Sequence, residues 1–243
     1  MGTHFNPIIK TNVDAKDPHA GMPVGENSRV VRYFNDFHEY AAAEWVITTT
    51  EAGGGSATEI LDPQDQGGAL VLLNDTNDAD SNEFQKAAAS GVVHEGWTLT
   101  SGQRTSFSTR FKVNDADDVD AMVGLVITDT AMIDGTTDGI YFRIVEAAAG
   151  LTLVCEKDST ETILAVLTAA DDTYHEVGFS YDGVSTVTAF SRGSNTDLWA
   201  KIGTITTNLP DNEQLAISFA IQNGAAAADS MTMDYLDVRQ ERS

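Results

Sequence analysis

Apolar side chains alternate with polar or small ones over short runs along most of the chain. Within residues 105–113, Phe107 and Phe111 fall on one face of an extended backbone, while Ser108 and Arg110 fall on the other. Such a period of two is typical of a half-buried β-strand, because successive side chains of a strand point to opposite faces. The chain shows no long amphipathic pattern at helical spacing, so strands are expected to dominate.

Further runs either alternate in the same way or are rich in β-branched and aromatic residues. They predict strands at residues 29–34, 44–50, 69–73, 122–128, 139–145, 151–155, 177–181, 186–191, 215–221 and 231–239. Turn sequences such as Asp182-Gly183 lie between several of these runs. The pattern predicts an all-β fold, namely an antiparallel jelly-roll β-sandwich.

Three segments carry more specific expectations. Residues 69–73 are apolar on both faces, which predicts a strand buried between two layers. A short helical or irregular piece is expected at residues 83–89. Residues 58–62 are expected to form an exposed loop, because Pro63 would break a strand there.

The first 28 residues differ from the rest of the chain. They hold three of the five prolines and show no sustained period, which excludes a regular helix or a central strand. We therefore expect an extended N-terminal arm at 1–28, followed by one jelly-roll domain at 29–243. The arm either covers its own domain or reaches a neighbour, and disorder is the alternative. Its apolar anchors are the candidate partner-binding residues Phe5, Ile8, Ile9 and Val13.

Charge is the most unusual global property of the sequence. Asp and Glu total 37 against 14 Lys and Arg, which gives a formal net charge of −23. A field of this sign repels nucleic acid and anionic membranes, so neither is expected as a partner. The even spread of Asp suits salty surroundings, where self-repulsion is screened, although an acidic protein in ordinary medium is also compatible with it.

The sequence shows no membrane span, no export signal and no cysteine chemistry. Its apolar runs are shorter than the roughly 20 residues that cross a bilayer. The first residues lack the basic and apolar regions of a signal peptide, so synthesis in the cytoplasm without export is expected. Cys155, the single cysteine, cannot form an intrachain disulfide or supply a zinc site, and burial as a small apolar residue is expected.

Candidate ligand-binding residues are few, and each has a simpler structural interpretation. Residues 74–82 and 114–120 are rich in Asp and Asn, whose oxygens suit Ca²⁺. Neither stretch fits the twelve-residue calcium loop, so solvated turns are favoured and no cofactor is expected. The five histidines share no metal-ligand spacing, and packing at a strand end is expected for His175. Trp45, Trp97 and Trp199 could stack on sugars, but packing in a core or interface is favoured.

Two segments resemble the concanavalin A-like lectin/glucanase superfamily, including its laminin G-like members. Residues 173–190 combine an aromatic residue and His175 with a strand, the turn Tyr181-Asp182-Gly183 and a returning strand; residues 231–240 resemble the family's closing strand. The family's glucanases carry a Glu-x-Asp-x-x-Glu strand, which this sequence lacks. The resemblance therefore implies a non-enzymatic sandwich without catalytic residues. A carbohydrate-binding module remains an alternative. A polysaccharide hydrolase is a weaker alternative, because a pair of carboxylates could still meet in space.

The general design also resembles the jelly-roll auxiliary proteins of tailed bacteriophages. The shared features are an N-terminal arm, no signal peptide and a lectin-like sandwich without catalytic groups. This resemblance implies a virion structural protein on the capsid surface, which decorates or cements the shell. Its expected partners are the major capsid protein and further copies of itself, as a homotrimer.

Overall fold

The computed structural model describes residues 16–20, 22, 29–62, 67–148, 150–193 and 197–242. The strands in this part of the chain are β1 (Val30–Asn35), β2 (Trp45–Thr50), β3 (Thr58–Leu61), β4 (Leu70–Leu73), β5 (Ser81–Ala89), β6 (Val92–Val93), β7 (Trp97–Thr98), β8 (Thr105–Val113), β9 (Val119–Val126), β10 (Gly139–Ile144), β11 (Gly150–Lys157), β12 (Thr160–Thr168), β13 (His175–Tyr181), β14 (Val187–Arg192), β15 (Ala200–Ile205), β16 (Gln214–Asn223) and β17 (Ser230–Glu241). The helical elements in these described ranges are a 3-10 turn at Ala42–Glu44 and α1 (Met132–Gly135). None of these helices has the length and apolarity to cross a membrane.

The strands form two sheets, and their pairing is antiparallel. Sheet 1 has the order β15-β14-β13-β8-β17-β4-β3, and β1 also pairs with β17. Sheet 2 has the order β12-β11-β10-β9-β16-β5-β2, with the short β6 on β5 and β7 on β16. The predicted fold class, an antiparallel jelly-roll sandwich, is confirmed.

The core lies between the two sheets and is built from the alternating residues of both. Phe107 of β8 stacks on Phe179 of β13 with ring centroids 5.3 Å apart, and Phe84 stacks on Phe219 at 4.9 Å. All four rings are fully buried. Each buried aromatic side chain contributes about 1.5–3 kcal/mol relative to an exposed one, so these rings are major contributors to the packing of the two sheets.

The expectation for residues 83–89 is wrong, because they belong to the nine-residue strand β5, which lies between β2 and β16. Phe84 faces the core, whereas Glu83 and Gln85 point to the outer face of sheet 2 and are nevertheless buried there. Glu83 accepts a bond from the backbone N–H of Met132 in α1. The segment that contains α1 covers these polar side chains, which is why their sequence looks unlike that of a strand.

Two further expectations about sheet 1 are corrected by the structure. Residues 58–61 form the edge strand β3 rather than a loop, and this strand ends at Leu61. Residues 69–73 are not buried on both faces throughout: Leu70 and Leu72 are fully buried, whereas Val71 is half-buried and Leu73 is 36% exposed. The strands β12 and β15 were not predicted. They are edge strands that neighbour each other across the sandwich, and their exposed outer residues weaken the apolar signal.

Candidate functional site

A groove of about 440 Å³ crosses the outer face of sheet 1. The alternation that sends Phe107 into the core turns Ser108 outward, and the same rule turns Tyr235 and Asp237 of β17 and Phe34 of β1 to this face. The groove is lined by Asp17, His19, Phe34, Asp36, Gly67, Ser108, Arg192, Trp199, Asp234, Tyr235 and Asp237. Residues from both ends of the chain therefore form one concave surface.

One wall of the groove is a segment of the expected arm, residues 16–20, which we name the strap. His19 Nδ1 lies 2.8 Å from Ser106 Oγ, and its Nε2 lies 2.8 Å from Ser108 Oγ. Pro18 packs over Gly178, where an added Cβ would lie 2.8 Å from the proline Cγ. The strap thus contacts the sheet of its own domain.

Burial determines the charge state of His19. It lowers the pKa of the imidazole to about 4, and the nearby Asp237 opposes this shift only in part. The ring is therefore neutral near pH 7, where one nitrogen donates and the other accepts a hydrogen bond. That pattern matches two serine hydroxyls, which can each act as donor or acceptor.

Asp237 holds β1 and β17 together below the strap. Its carboxylate accepts bonds from Arg32 Nε at 2.9 Å and from Arg239 Nη2 at 2.6 Å. Burial alone raises the pKa of this carboxyl, but the bonds from the two guanidinium groups outweigh burial and lower it. Asp237 is thus ionised at neutral pH and fixed in position.

A second polar cluster positions the aromatic side chains at the other end of the groove. Glu176 is 2% exposed and accepts bonds from Arg192 and from the Tyr235 hydroxyl, the latter at 2.7 Å. The Arg192 guanidinium lies over the Trp199 ring, 4.7 Å from its centroid. Phe34 lies 6.4 Å from Tyr235, and the Arg32 guanidinium lies 4.8 Å from the centroid of its ring. Phe34 is still 48% exposed, so the rest of its ring is an accessible aromatic surface in the groove.

The group of Ser106, Ser108, His19 and Asp237 contains the residue types of a hydrolytic triad but not its geometry. A triad needs a reachable serine on one imidazole nitrogen and the carboxylate on the other. Here Ser108 and Asp237 both approach Nε2, Asp237 at 3.7 Å, and Ser106 on Nδ1 is fully buried. The arrangement instead attaches the strap to the sheet.

Two carboxylates do meet in space on the outer face of sheet 2. Glu156 and Glu161 are cross-strand partners in β11 and β12, and the Tyr141 hydroxyl lies 2.7 Å from Glu156 and 3.5 Å from Glu161. Burial raises the pKa of Glu156. Both oxygens of Glu161 are bound by Arg143, at 2.6 and 2.9 Å. These bonds tie three neighbouring strands together and leave Glu156 only 5% exposed.

The two Asp-rich stretches come together at one end of the sandwich. Asn74 and Asn114 both bond to Asp229, through the Asn74 N–H and the Asn114 Nδ2. Asp80 accepts the backbone N–H of Ala52 at 2.6 Å. Within the described ranges, no group of three His, Cys, Asp or Glu side chains is arranged to hold a metal ion. The polar side chains of these loops serve to fix the loop backbones.

The remaining candidate residues have separate positions. Phe5, Ile8, Ile9 and Val13 lie outside the described residues. Trp45 and Trp97 pack in the core, whereas Trp199 lines the groove. His175 is buried at the start of β13 and accepts a bond from Ala170 N–H.

Cys155 is fully buried, as expected, and burial raises the pKa of its thiol. The sequence pointed to Trp199 and to residues 231–240 separately. It gave no signal that Trp199 and Tyr235 line one groove with Phe34 and His19, because the four segments are far apart in the chain.

The sequence matches no family model and no curated protein sequence. Among solved structures, a protein of unknown function from Shewanella oneidensis MR-1 has a TM-score of 0.58 and 14% identity, over 88% of this chain and 87% of that one. Peanut lectin has a TM-score of 0.55 and 9% identity, over 88% of this chain and 99% of the lectin chain. The CBM2 module of the evolved Dit protein of Lactobacillus casei BL23 phage J-1 has a TM-score of 0.53 and 11% identity, over 88% of this chain and 97% of that one. The fold is that of the lectin-like sandwiches. At such identities the likeness extends to the fold alone.

Proposed function

We propose that this protein is a non-catalytic carbohydrate-binding sandwich that holds a neutral oligosaccharide in the groove on sheet 1. The observation that carries the proposal is the combination, in one groove, of an exposed aromatic ring with fixed polar side chains. Phe34 supplies the ring, and Asp234, Asp237 and Arg192 supply the polar groups.

The chemistry of a sugar suits this lining. The C–H face of a pyranose packs on an aromatic ring, and its hydroxyls both donate to carboxylates and accept from guanidinium groups. Four of the lining residues are Asp and one is Arg, so an anionic sugar would be repelled. A volume of about 440 Å³ is within the range of roughly 300–1,000 Å³ that is usual for small-ligand sites.

Two of the solved structures that share the fold are named as a lectin and as a CBM2 module of a phage protein. Their names support a carbohydrate-related role for the fold. The absence of a Glu-x-Asp-x-x-Glu strand in the sequence supports binding without hydrolysis.

An array of neutral oligosaccharides followed by calorimetric titration of the best ligand tests the proposal. The substitution Phe34→Ala should weaken binding about tenfold, because it removes the aromatic surface on which the sugar packs. The control is Ile163→Ala, which shortens an exposed apolar side chain on the edge strand of sheet 2. Failure of every neutral glycan to bind, or equal weakening by both substitutions, would refute the groove as a sugar site.

The second candidate function is decoration of a virus particle. It is supported by the shared fold of a module from a phage protein and by the apolar anchors in the first 13 residues. In this role the protein would sit on the capsid surface as a homo-oligomer, with the major capsid protein as its partner. The two candidates are compatible, since a glycan-binding groove could be displayed on a particle.

A further inference from the structure

A second, smaller cavity lies on the outer face of sheet 2, away from the groove. Its volume is about 160 Å³, and it is lined by residues of β9, β10 and the segment containing α1. Met122, Ile133 and Tyr141 are among its apolar lining residues. Asp120, Asp134 and Arg143 supply its charged groups. A ligand pocket for a drug-sized molecule is roughly two or more times larger, so this cavity suits a single side chain.

The cavity is a fixed gap between α1 and the sheet. Met132 of α1 packs in a buried apolar cluster with Met122, Val126 and Tyr141. The backbone N–H of Met132 also donates to Glu83 Oε2 at 2.6 Å, which anchors the helix to β5. Because α1 is held at these points, the space beside it has a defined shape.

The charges around the cavity are predominantly negative. Asp120 accepts a bond from the backbone N–H of Glu146 at 2.9 Å, which holds the Asp120 carboxylate in position. Asp134 is exposed and forms no ion pair with any residue in the part of the chain that the structure describes. Arg143 is the cation in the lining, and its two terminal nitrogens are both bound to Glu161. Its charge is therefore already compensated.

We propose that this cavity receives a lysine or arginine side chain from a basic segment of a partner protein. The methylene stem would pack on Met122, Ile133 and the Tyr141 ring, as long cationic side chains do on apolar surfaces. The charged head would lie between Asp120 and Asp134. The net charge of −23 would draw such a segment toward the protein. The cavity is on the other sheet from the groove, so this inference does not depend on the proposed function.

The test uses the full chain with isotope-labelled methionine methyl groups, at 150 mM salt. The probe is N-acetyl-lysine methylamide, and the matched probe is its uncharged analogue N-acetyl-norleucine methylamide. We expect saturable shifts of the Met122 and Met132 methyl signals with the lysine probe and a dissociation constant at least fivefold weaker with norleucine. Absence of saturable shifts, or equal binding of both probes, would overturn the proposal.

Two substitutions separate site-specific binding from general attraction. Asp134→Asn should weaken binding of the lysine probe about fivefold, because it removes one carboxylate from the site. Glu39→Gln removes the same charge from an exposed position after β1 and should change binding less than twofold. Val145→Trp fills the mouth at a residue that is 38% exposed, and should abolish binding. Equal effects of Asp134→Asn and Glu39→Gln would show that only the overall charge matters, which contradicts a built site.

Discussion

Individual residues in this fold adopt conformations that the side-chain pattern does not reveal. Asp158 and Ser159 form the two-residue turn between β11 and β12, with φ of 51° and 61°. Two successive left-handed residues match a type I′ hairpin, in which Asn-Gly or Asp-Gly is preferred. The chain has Ser159 where that preference places glycine, so the turn is strained at a single exposed position.

Replacement of this serine should stabilise the protein. Ser159→Gly removes the steric cost of a left-handed residue, about 1–2 kcal/mol, at the expense of a smaller loss of backbone entropy. We expect the free energy of unfolding in urea to rise by about 0.5 kcal/mol. The matched control is Ser185→Gly in an exposed turn outside the left-handed region, which should lower it by roughly 0.5 kcal/mol. A decrease with Ser159→Gly would contradict the assigned turn.

At the scale of the elements, the strap is attached to sheet 1 through His19, a titratable group that is buried there. The charged groups that face His19 are Asp237, Arg239 and Arg32, and Asp17 lies in the strap itself. The imidazole pKa is about 4 when the strap is docked and about 6.5 when it is free. A lowered histidine pKa means that the docked state binds the proton more weakly than the free state.

The contribution of the docked strap to the free energy of unfolding should therefore be fully present above pH 6.5 and be lost as the pH falls toward 4. Between pH 6.5 and pH 5 the loss should approach about 2 kcal/mol. Urea unfolding of the native protein and of His19→Asn at several pH values measures this loss. The difference between the two stability curves removes the contributions of the other titratable groups. A pH-independent difference would mean that His19 is not buried in its neutral form.

At the scale of the whole molecule, the net charge and the arm act against each other. The charge of −23 repels like copies, most strongly at low ionic strength where screening is weak. We expect Phe5, Ile8, Ile9 and Val13, the apolar residues of the arm, to provide the surface for contact between copies. Association should therefore require the arm and strengthen with salt.

Light scattering at low and high salt tests this balance. We expect a homo-oligomer, a trimer, that weakens at low salt, and a monomer when the four arm residues are replaced by serine. The control replaces Val92 and Val184, which are exposed on the sandwich, by serine and should leave the mass unchanged. A monomer under all conditions would remove the support for the decoration role and leave the glycan-binding role in place.

The strands in which apolar residues alternate with polar or small ones were predictable from the sequence, and β8 and β13 are the clearest examples. Period-two alternation there reflects a local requirement, since each strand must turn apolar residues to one side. The same reasoning failed for β5, because α1 covers its polar outer residues, and for β12, because an edge strand needs little apolar surface.

The sequence by itself determined the all-β class, the burial of Cys155 and the repulsive net charge, because these depend on local pattern or on simple sums of residues. The tertiary structure alone decided that His19, Phe34, Trp199 and Tyr235 meet in one groove. It also decided that Asp120 and Asp134 flank one cavity. Contacts between residues so far apart follow from strand order and register, which depend on the simultaneous packing of both sheets rather than on any local run of sequence.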